Sequence, residues 1–350
     1  MAIRVGVIGL DYGAQVHVPA FKANPRYQVV AVASRAAGRA EAFAKESGIP
    51  HFYTDARHLI HSDLDLVSIA TPPATHSGYA VMALANRRHV LTEVAFMPST
   101  ADARVVAESA ERVKKVGAAA FVLRYTPLLR HVTDLLRQNA IGRPRLMTFD
   151  FFSNFLQVPD DDLRWIWDAD GAGGVLAGYT AHALDLAMRW LGPVREVDGA
   201  LATLTSVSLP AGIKHPADDT GQATLHFESG ALGLFRHSGV TALPRTAMEL
   251  HGTDGSLIIN GFGDDAALLR MGADEPETLF PPVNYLEETR GHSGLVGAFG
   301  IFLEQLADAI TDHHIAPELP TFADGVQITR LIDAIRLAAR EKRRVAISEI

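Results

Sequence analysis

The sequence predicts an α/β protein in two parts: an N-terminal Rossmann-type, doubly wound parallel sheet, then an α+β region on a large, mostly antiparallel open sheet. Three observations predict it. Short β-branched runs at 3–8, 29–34, 66–70, 89–92 and 118–121 alternate with helical spacing at 14–23, 38–47, 77–85 and 100–116. The strand runs are apolar on both faces, as a parallel sheet covered by helices on each side requires. Beyond position 123 the pattern changes to successive alternating segments at 145–152, 197–208, 221–228, 231–237, 247–252, 256–260 and 266–271. Gly-containing turns join them, as in an antiparallel sheet. Helices are expected at 126–139, 180–191, 296–310 and 322–342, the second of them closed by Gly192-Pro193. The expected division is a dinucleotide-binding part, 1–123, and a substrate-binding and oligomerisation part, 124–350.

Composition bounds the function. The chain has 350 residues, more than the roughly 250–300 that a single core serves. Forty acids against 32 bases give a net charge of −8, with no long basic run, so neither nucleic acid nor an anionic membrane is expected as a partner. There is no cysteine, which excludes disulfides and thiolate chemistry. The amino terminus lacks signal-peptide grammar and no uninterrupted apolar run of membrane length is read, so a cytoplasmic location is the default expectation.

The first strand runs into Gly6-Val-Ile-Gly9-Leu10-Asp11-Tyr12-Gly13-Ala14, which opens the first helix. A dinucleotide fold places its tight turn there, so that phosphate meets free backbone N–H groups and the positive helix end. In the register G-x-G-x-x-G, Gly9 is the first glycine, Asp11 stands at the second position and Ala14 at the third. Asp11 brings a negative charge toward pyrophosphate. Two unit charges at about 4 Å repel by about 4 kcal/mol at an effective dielectric of about 20. Either the carboxylate turns away or affinity suffers. The second strand ends Ala33-Ser34-Arg35, a hydroxyl and a guanidinium where an acid would bind a ribose 2′-hydroxyl. That favours a 2′-phosphate, hence NADP, with NAD as the alternative. The other reading of the pair is that Ser34 caps the next helix and Arg35 is solvated.

Downstream come Thr71-Pro72-Pro73-Ala74-Thr75-His76 and then His89-Val-Leu-Thr-Glu93-Val94-Ala95. With His17 after the glycine turn, Arg124-Tyr125 at the domain junction, Gly173-Gly174 before His182, Asp185, and Ala323-Asp-Gly325, this arrangement resembles the Gfo/Idh/MocA family of NAD(P)-dependent sugar and cyclitol oxidoreductases. The resemblance covers nearly the whole chain. It implies cofactor contacts at Gly9, Leu10, Asp11, Tyr12, Ser34, Arg35, Thr71, Pro72, His76 and Glu93, and a C-terminal sheet used for substrate and for self-association into a dimer or tetramer. It also implies a catalytic lysine in a Glu-Lys-Pro motif and an aspartate four residues before the histidine. Here those positions hold Val94 and Gly178, with Ala95 in place of the proline. Without that proline, no cis peptide is expected.

Of the family trio only His182 remains. Tyr179 and Asp185 lie three residues to either side, near one helical face if the helix begins by Tyr179. His182 can serve as acid or base, Asp185 can fix its tautomer, and Tyr179 can donate a proton. A helix start and a polar packing pair are the plainer reading of Tyr179 and Asp185. Arg124, Tyr125 and Trp167 are candidates for substrate contact, with Trp165 beside them; core packing is the alternative for both tryptophans. Asp160–Asp162 and His313-His314 read as solvated surface, and no metal is expected. The expected function is a dehydrogenase or reductase of a small sugar, cyclitol or related carbonyl or alcohol. The alternatives are a redox-neutral lyase, dehydratase, epimerase or cyclase, and a binding protein that has lost catalysis.

Overall fold

The computed structural model describes residues 2–158, 161–292 and 294–350, without the side chains of Asp161 and Asp162. The chain divides into two compact units: Met1–Tyr125 with Glu287–Gln327, and Thr126–Leu286 with Ile328–Ile350.

In the first unit, β1 (Ile3–Ile8), β2 (Tyr27–Ala33), β3 (His51–Tyr53), β4 (Leu66–Ile69), β5 (His89–Thr92) and β6 (Gly117–Ala119) form one parallel sheet. Its order is β3-β2-β1-β4-β5-β6, so the winding reverses between β1 and β4. Crevices for ligands open at the carboxyl ends beside such a reversal. The helices are α1 (Val18–Ala23), entered through a π-helical turn at Gly13–His17, then α2 (Ala37–Glu46), α3 (Ala56–His61), α4 (His76–Ala85) and α5 (Thr100–Val113). Ser99 caps α5, its hydroxyl accepting from Asp102 N at 3.1 Å. The strand β3 and helix α3 escape the sequence pattern. His51-Phe-Tyr is a three-residue edge strand, largely exposed, and carries no β-branched residue. Asp55, which caps α3 by accepting from Arg57 N, is the local signal that marks it.

The second unit carries α6 (Pro127–Arg137), β7 (Leu146–Phe152), α7 (Ala181–Leu191), β8 (Val194–Ala202), β9 (Thr220–Phe227), β10 (Leu232–Ser238), β11 (Arg245–His251), β12 (Gly255–Asn260), β13 (Asp265–Arg270), β14 (Glu277–Leu279) and the short α8 (Val283–Glu287). With β15 (Val345–Ala346) the strands order as β14-β13-β12-β11-β7-β10-β9-β8-β15. Every pairing is antiparallel except β7 with β10. Alternation along β10 buries Phe235 and His237 and turns Leu232, Leu234 and Arg236 outward. The strand expected to run to 208 ends at Ala202.

Two helices complete the chain, α9 (Gly294–Thr311) and α10 (Phe322–Glu341). The division therefore differs from a single cut at 123/124, because 287–327 folds with the nucleotide-type sheet. The reason is packing. Phe299, Phe302, Leu303 and Leu306 are fully buried in the core shared with Val16, Phe21 and Tyr27. Tyr27 Oη donates to Leu303 O at 2.6 Å, and Arg26 pairs with Asp308 at 2.5 Å. By length and composition α9 is long and apolar enough to cross a membrane, which the sequence reading did not foresee, yet half of it is buried inside the protein.

At the other end of the first sheet, His89 is 8% exposed at the start of β5, and its Nδ1 accepts from Val116 N at 3.0 Å. Burial, with the Lys115 charge beside it, lowers its pKa from 6.5 to about 4. A histidine whose folded pKa is depressed stabilises the fold above its unfolded pKa, and that stability is lost as pH falls toward the folded value. We expect His89 to cost about 2 kcal/mol of unfolding free energy between pH 7 and pH 5. Urea denaturation at the two pH values measures it. His89→Asn keeps an acceptor for Val116 N–H and should flatten the dependence by that amount; an unchanged slope would remove His89 as its source.

Candidate functional site

In the first unit the site grows from the turn after β1. Gly9 has φ +98°, a left-handed conformation that glycine adopts without penalty. A Cβ there would also overlap the carbonyl oxygen of Ala70 at the end of β4. Gly9 N donates to Ala33 O at 2.9 Å, so the turn is tied to β2 as well. Leu10 is buried beneath it, and the first N–H groups of the following helix have no intrahelical acceptor. The close approach of helix to strand falls at Gly13, not Ala14 as the motif register suggests. A Cβ at Gly13 would lie 3.2 Å from Val7 and 3.3 Å from the Ala70 methyl.

The Asp11 carboxylate is answered by a residue that the sequence reading missed. Arg39 of α2 pairs with Asp11 Oδ1 at 2.5 Å and donates to Leu10 O at 2.8 Å. The carboxylate is thereby held and its charge offset at the turn. Only its need for a partner could have pointed there. Ser34 is half-buried and Arg35 exposed, and the cap position of α2 is Ala36, so Ser34 does not cap it.

Behind the turn lies a buried polar chain. His17 is fully buried, with Nε2 at 2.7 Å from Glu93 Oε1 and Nδ1 at 2.7 Å from Ser68 Oγ. With Glu93 ionised and His17 neutral, Nε2–H donates to the carboxylate and the Ser68 hydroxyl donates to Nδ1. Val94 N donates to Glu93 Oε2 at 3.2 Å. Tyr12 packs edge-on to His17 at 5.7 Å, and burial together with the Glu93 charge raises its phenol well above the usual range. Ser68 is the one polar residue of β4, and that interruption of an apolar run was the available signal.

The 71–76 loop is pinned by hydrogen bonds. Thr71 Oγ1 and Thr75 Oγ1 lie 2.7 Å apart, and Thr75 Oγ1 donates to Pro72 O at 2.9 Å. His76 is fully buried, with Nε2 at 2.6 Å from Thr71 O and Nδ1 at 3.0 Å from Phe96 O. Burial lowers its pKa despite both carbonyls. It fastens the loop to the segment after β5. There the Val94–Ala95 peptide is cis with no proline, contrary to the sequence expectation, and the Ala95, Phe96 and Met97 side chains that come next are buried.

Arg124 and Tyr125 do not present their side chains to a ligand. Arg124 is 9% exposed and pairs with Asp324 at 2.8 Å; Tyr125 is 2% exposed and donates to Gln305 Oε1 at 2.8 Å. Burial alone would raise the Asp324 carboxyl, but the Arg124 charge and hydrogen bond outweigh it and hold it below the ordinary value. Both residues brace the joined 287–327 segment.

In the second unit, α7 is entered through a π-helical turn at Leu176–Thr180, so the helical path includes Tyr179. Tyr179, His182 and Asp185 succeed one another at three-residue steps. His182 is half-buried with Nδ1 on the inner side, and Asp185 is 2% exposed. Tyr179 stacks on Phe151 at 4.8 Å and 16°, with Phe155 also at 4.8 Å. Burial raises its pKa, which makes the phenol a poorer proton donor than expected. Trp167 is 3% exposed and belongs to the core rather than to a pocket wall. Trp165 is half-buried, and its ring meets the backbone at Gly178: a Cβ there would lie 3.0 Å from Trp165 Cη2 and 3.6 Å from Ile166 Cδ1. The space beside the aspartate position is filled by an indole.

A second buried pair was not anticipated. Asp218 Oδ2 accepts from Leu176 N at 2.9 Å and lies 3.1 Å from His237 Nε2. Both side chains are almost fully buried, and the pair anchors the first turn of the helix that carries His182. Gly174, at φ +108°, lets the backbone approach, since a Cβ would overlap Asp218 Oδ1. Among the described residues no group of three His, Cys, Asp or Glu forms a metal site, and His313 and His314 are exposed. Asp160 and the side chains of Asp161 and Asp162 lie outside the described residues.

The sequence matches the oxidoreductase family with the NAD-binding Rossmann fold over residues 3–121, and the GFO/IDH/MocA C-terminal domain over residues 129–258. The chain belongs to the GFO/IDH/MocA oxidoreductase family. A 1,5-anhydro-D-fructose reductase of Ensifer adhaerens is 30% identical over 73% of this chain and 75% of its own length. A levoglucosan dehydrogenase of Pseudarthrobacter phenanthrenivorans is 24% identical over 99% of each. An uncharacterized oxidoreductase of Synechocystis sp. matches 57% of this chain but 54% of its own length, at 26% identity. In fold, the chain is similar to a levoglucosan dehydrogenase solved with NADH and levoglucosan, with a TM-score of 0.90 over 100% of both chains at 22% identity.

Gly178 supplies a direct test of the packing. Gly178→Asp forces the Trp165 ring aside, and overpacking of this kind costs about 2 kcal/mol. We expect that loss in urea denaturation and partial recovery in the Gly178→Asp, Trp165→Ala double variant. A Gly178→Asp protein as stable as the parent would contradict the contact.

Proposed function

We propose that the chain transfers hydride between NADP(H) and a small sugar, cyclitol or related polyhydroxylated carbonyl or alcohol, with His182 as the acid and base. The observation that carries this reading is the Gly9 turn. Its backbone has no room for a side chain against Ala70 O, it leads into a helix start, and its one acid is paired with Arg39. These residues fit a dinucleotide pyrophosphate: Gly9 to Tyr12 supply backbone N–H groups, and Thr71, Pro72 and His76 define the neighbouring loop. Ser34 and Arg35, with no acid between them, favour a 2′-phosphate. NADH in the structure of a relative is the reason to test that preference directly.

When bound, the nicotinamide supplies or accepts the hydride. The protein's own groups handle the proton. His182 has Nδ1 inward, which leaves Nε2 as the nitrogen that a substrate hydroxyl reaches. Nε2 takes the hydroxyl proton during oxidation and returns it during reduction. Val94 offers no donor, and Tyr179 keeps its proton. Glu93, held by His17 and Val94 N, keeps one orientation at the end of β5. A redox-neutral reaction is the second reading, favoured by the loss of lysine at Val94 and of aspartate at Gly178. The chain self-associates through the open face of its nine-stranded sheet, where Leu232 and Leu234 are each 40% exposed.

Three measurements decide these points. NADPH should bind more tightly than NADH by fluorescence titration, and Arg35→Ala should weaken NADPH about tenfold, the effect of losing one charged phosphate contact, while leaving NADH unchanged. Equal affinities in the parent would end the NADP assignment. In a carbohydrate and polyol panel, His182→Ala should lower kcat by about 10²–10⁴ without altering nucleotide affinity; turnover with no net change in NADPH absorbance would favour the redox-neutral reading. Light scattering should report a dimer or tetramer that Leu234→Glu dissociates.

A further inference from the structure

The cluster around Lys115, at the amino end of β5 and remote in sequence from the glycine turn, has donor and acceptor roles that its geometry fixes. Lys114 ends α5 in the left-handed conformation at φ 53°, and Lys115 N returns to Ala110 O at 3.0 Å. This C-terminal wrap sets Lys115 and Val116 against His89. Val116 N donates to His89 Nδ1 at 3.0 Å, so Nδ1 holds the lone pair. The remaining nitrogen of a neutral imidazole, Nε2, then carries the proton. Lys115 Nζ lies 3.3 Å from that Nε2. An ammonium there would set donor against donor. A neutral amine instead accepts the Nε2–H, and both groups are satisfied.

The surroundings agree. The charged or titratable groups acting on Lys115 are Arg87, Arg88 and Asp65, and those acting on His89 are Lys115, Asp65 and His313. Burial, then Arg87, lowers the Lys115 pKa against the opposing Asp65, with Arg88 adding to the fall. Half-burial leaves the amine reachable by a small molecule. An uncharged amine faced by two guanidinium groups is a nucleophile whose surroundings favour a negatively charged product.

We propose that Lys115 is a reactive lysine that captures carbon dioxide as a carbamate. The Nζ lone pair forms a bond to the CO₂ carbon, one C–O π bond passes its electrons to oxygen, and the nitrogen releases a proton to solvent. The anionic carbamate accepts the His89 Nε2–H and places its charge near Arg87 and Arg88. Acylating agents meet the same nucleophile, but their neutral amide product draws nothing from the two arginines.

The test uses the full chain in buffer equilibrated with ¹³C-bicarbonate, trapped with triethyloxonium and mapped by mass spectrometry. Lys114, exposed and adjacent, is the internal reference. A pKa one unit lower multiplies the neutral fraction tenfold, so ¹³C-ethoxycarbonyl label on Lys115 should exceed that on Lys114 by about tenfold at neutral pH. His89→Asn, which has no group at the Nε2 position, should bring Lys115 down to the Lys114 level. Label on Lys115 no greater than on Lys114 overturns the proposal, and so does unchanged label in folded His89→Asn.

Discussion

Both candidate sites depend on one constraint: a backbone must pass so close to a neighbouring oxygen that a side chain is excluded. Gly9 does this against the Ala70 carbonyl and Gly174 against the Asp218 carboxylate, each at strongly positive φ. The chain then takes the same path in both places. A helix begins within a few residues, and its first stretch is π-helical, at Gly13–His17 and at Leu176–Thr180. Such wide turns are uncommon and concentrate at functional positions. The first presents His17 to Glu93 and Ser68; the second precedes His182. An alanine at either glycine would meet both the wrong φ and an overlapping oxygen, so the helix start itself would have to move.

The departures from the family pattern are packed rather than vacant. At Gly178 the missing side chain is replaced by the edge of Trp165, and Ile166 closes the same space. Val94 sits between the Glu93 carboxylate that its own N–H steadies and the buried run Ala95, Phe96 and Met97. Tyr12 and Tyr179, the phenols nearest the two sites, both have raised pKa values. Proton transfer near neutral pH therefore concentrates on imidazole, and His182 is the half-buried one on the substrate-type unit. His17 and His76 are fully buried and bonded on both ring nitrogens, which suits them to holding the cofactor loops rather than exchanging protons with a ligand.

How much of this was legible depends on the range of the interactions. The parallel strands showed because they are apolar on both faces, and the glycine turn showed because its constraint is local. The strand His51–Tyr53 was invisible, being three residues long and at an edge. Arg124, Tyr125 and Trp167 were read as ligand contacts because polar or aromatic residues near a junction look alike in a sequence. Their burial depends on partners such as Asp324 and Gln305, about 200 positions away. The Asp218–His237 pair and the Ser68–His17–Glu93 chain were hidden for the same reason: each joins residues from different strands or helices. The placement of 287–327 could not be read from an end-to-end division, since Phe299 reaches back to the ring of His17.

The Asp11–Arg39 pair shows how a charge that looks unfavourable in a motif can have a mechanical use. Both side chains are substantially exposed, so the pair adds little to stability. Arg39, however, also donates to Leu10 O, inside the turn itself. Since Arg39 stands on α2, just beyond Ser34 and Arg35, the segment that meets the ribose is tied to the turn that meets the pyrophosphate. A phosphate arriving at the turn competes with Asp11 for that guanidinium and acts on α2 at the same time. A glycine in place of Asp11 would remove the repulsion but leave Arg39 with the Leu10 carbonyl alone, and the two halves of the nucleotide site would be joined by one hydrogen bond instead of an ion pair and a hydrogen bond together.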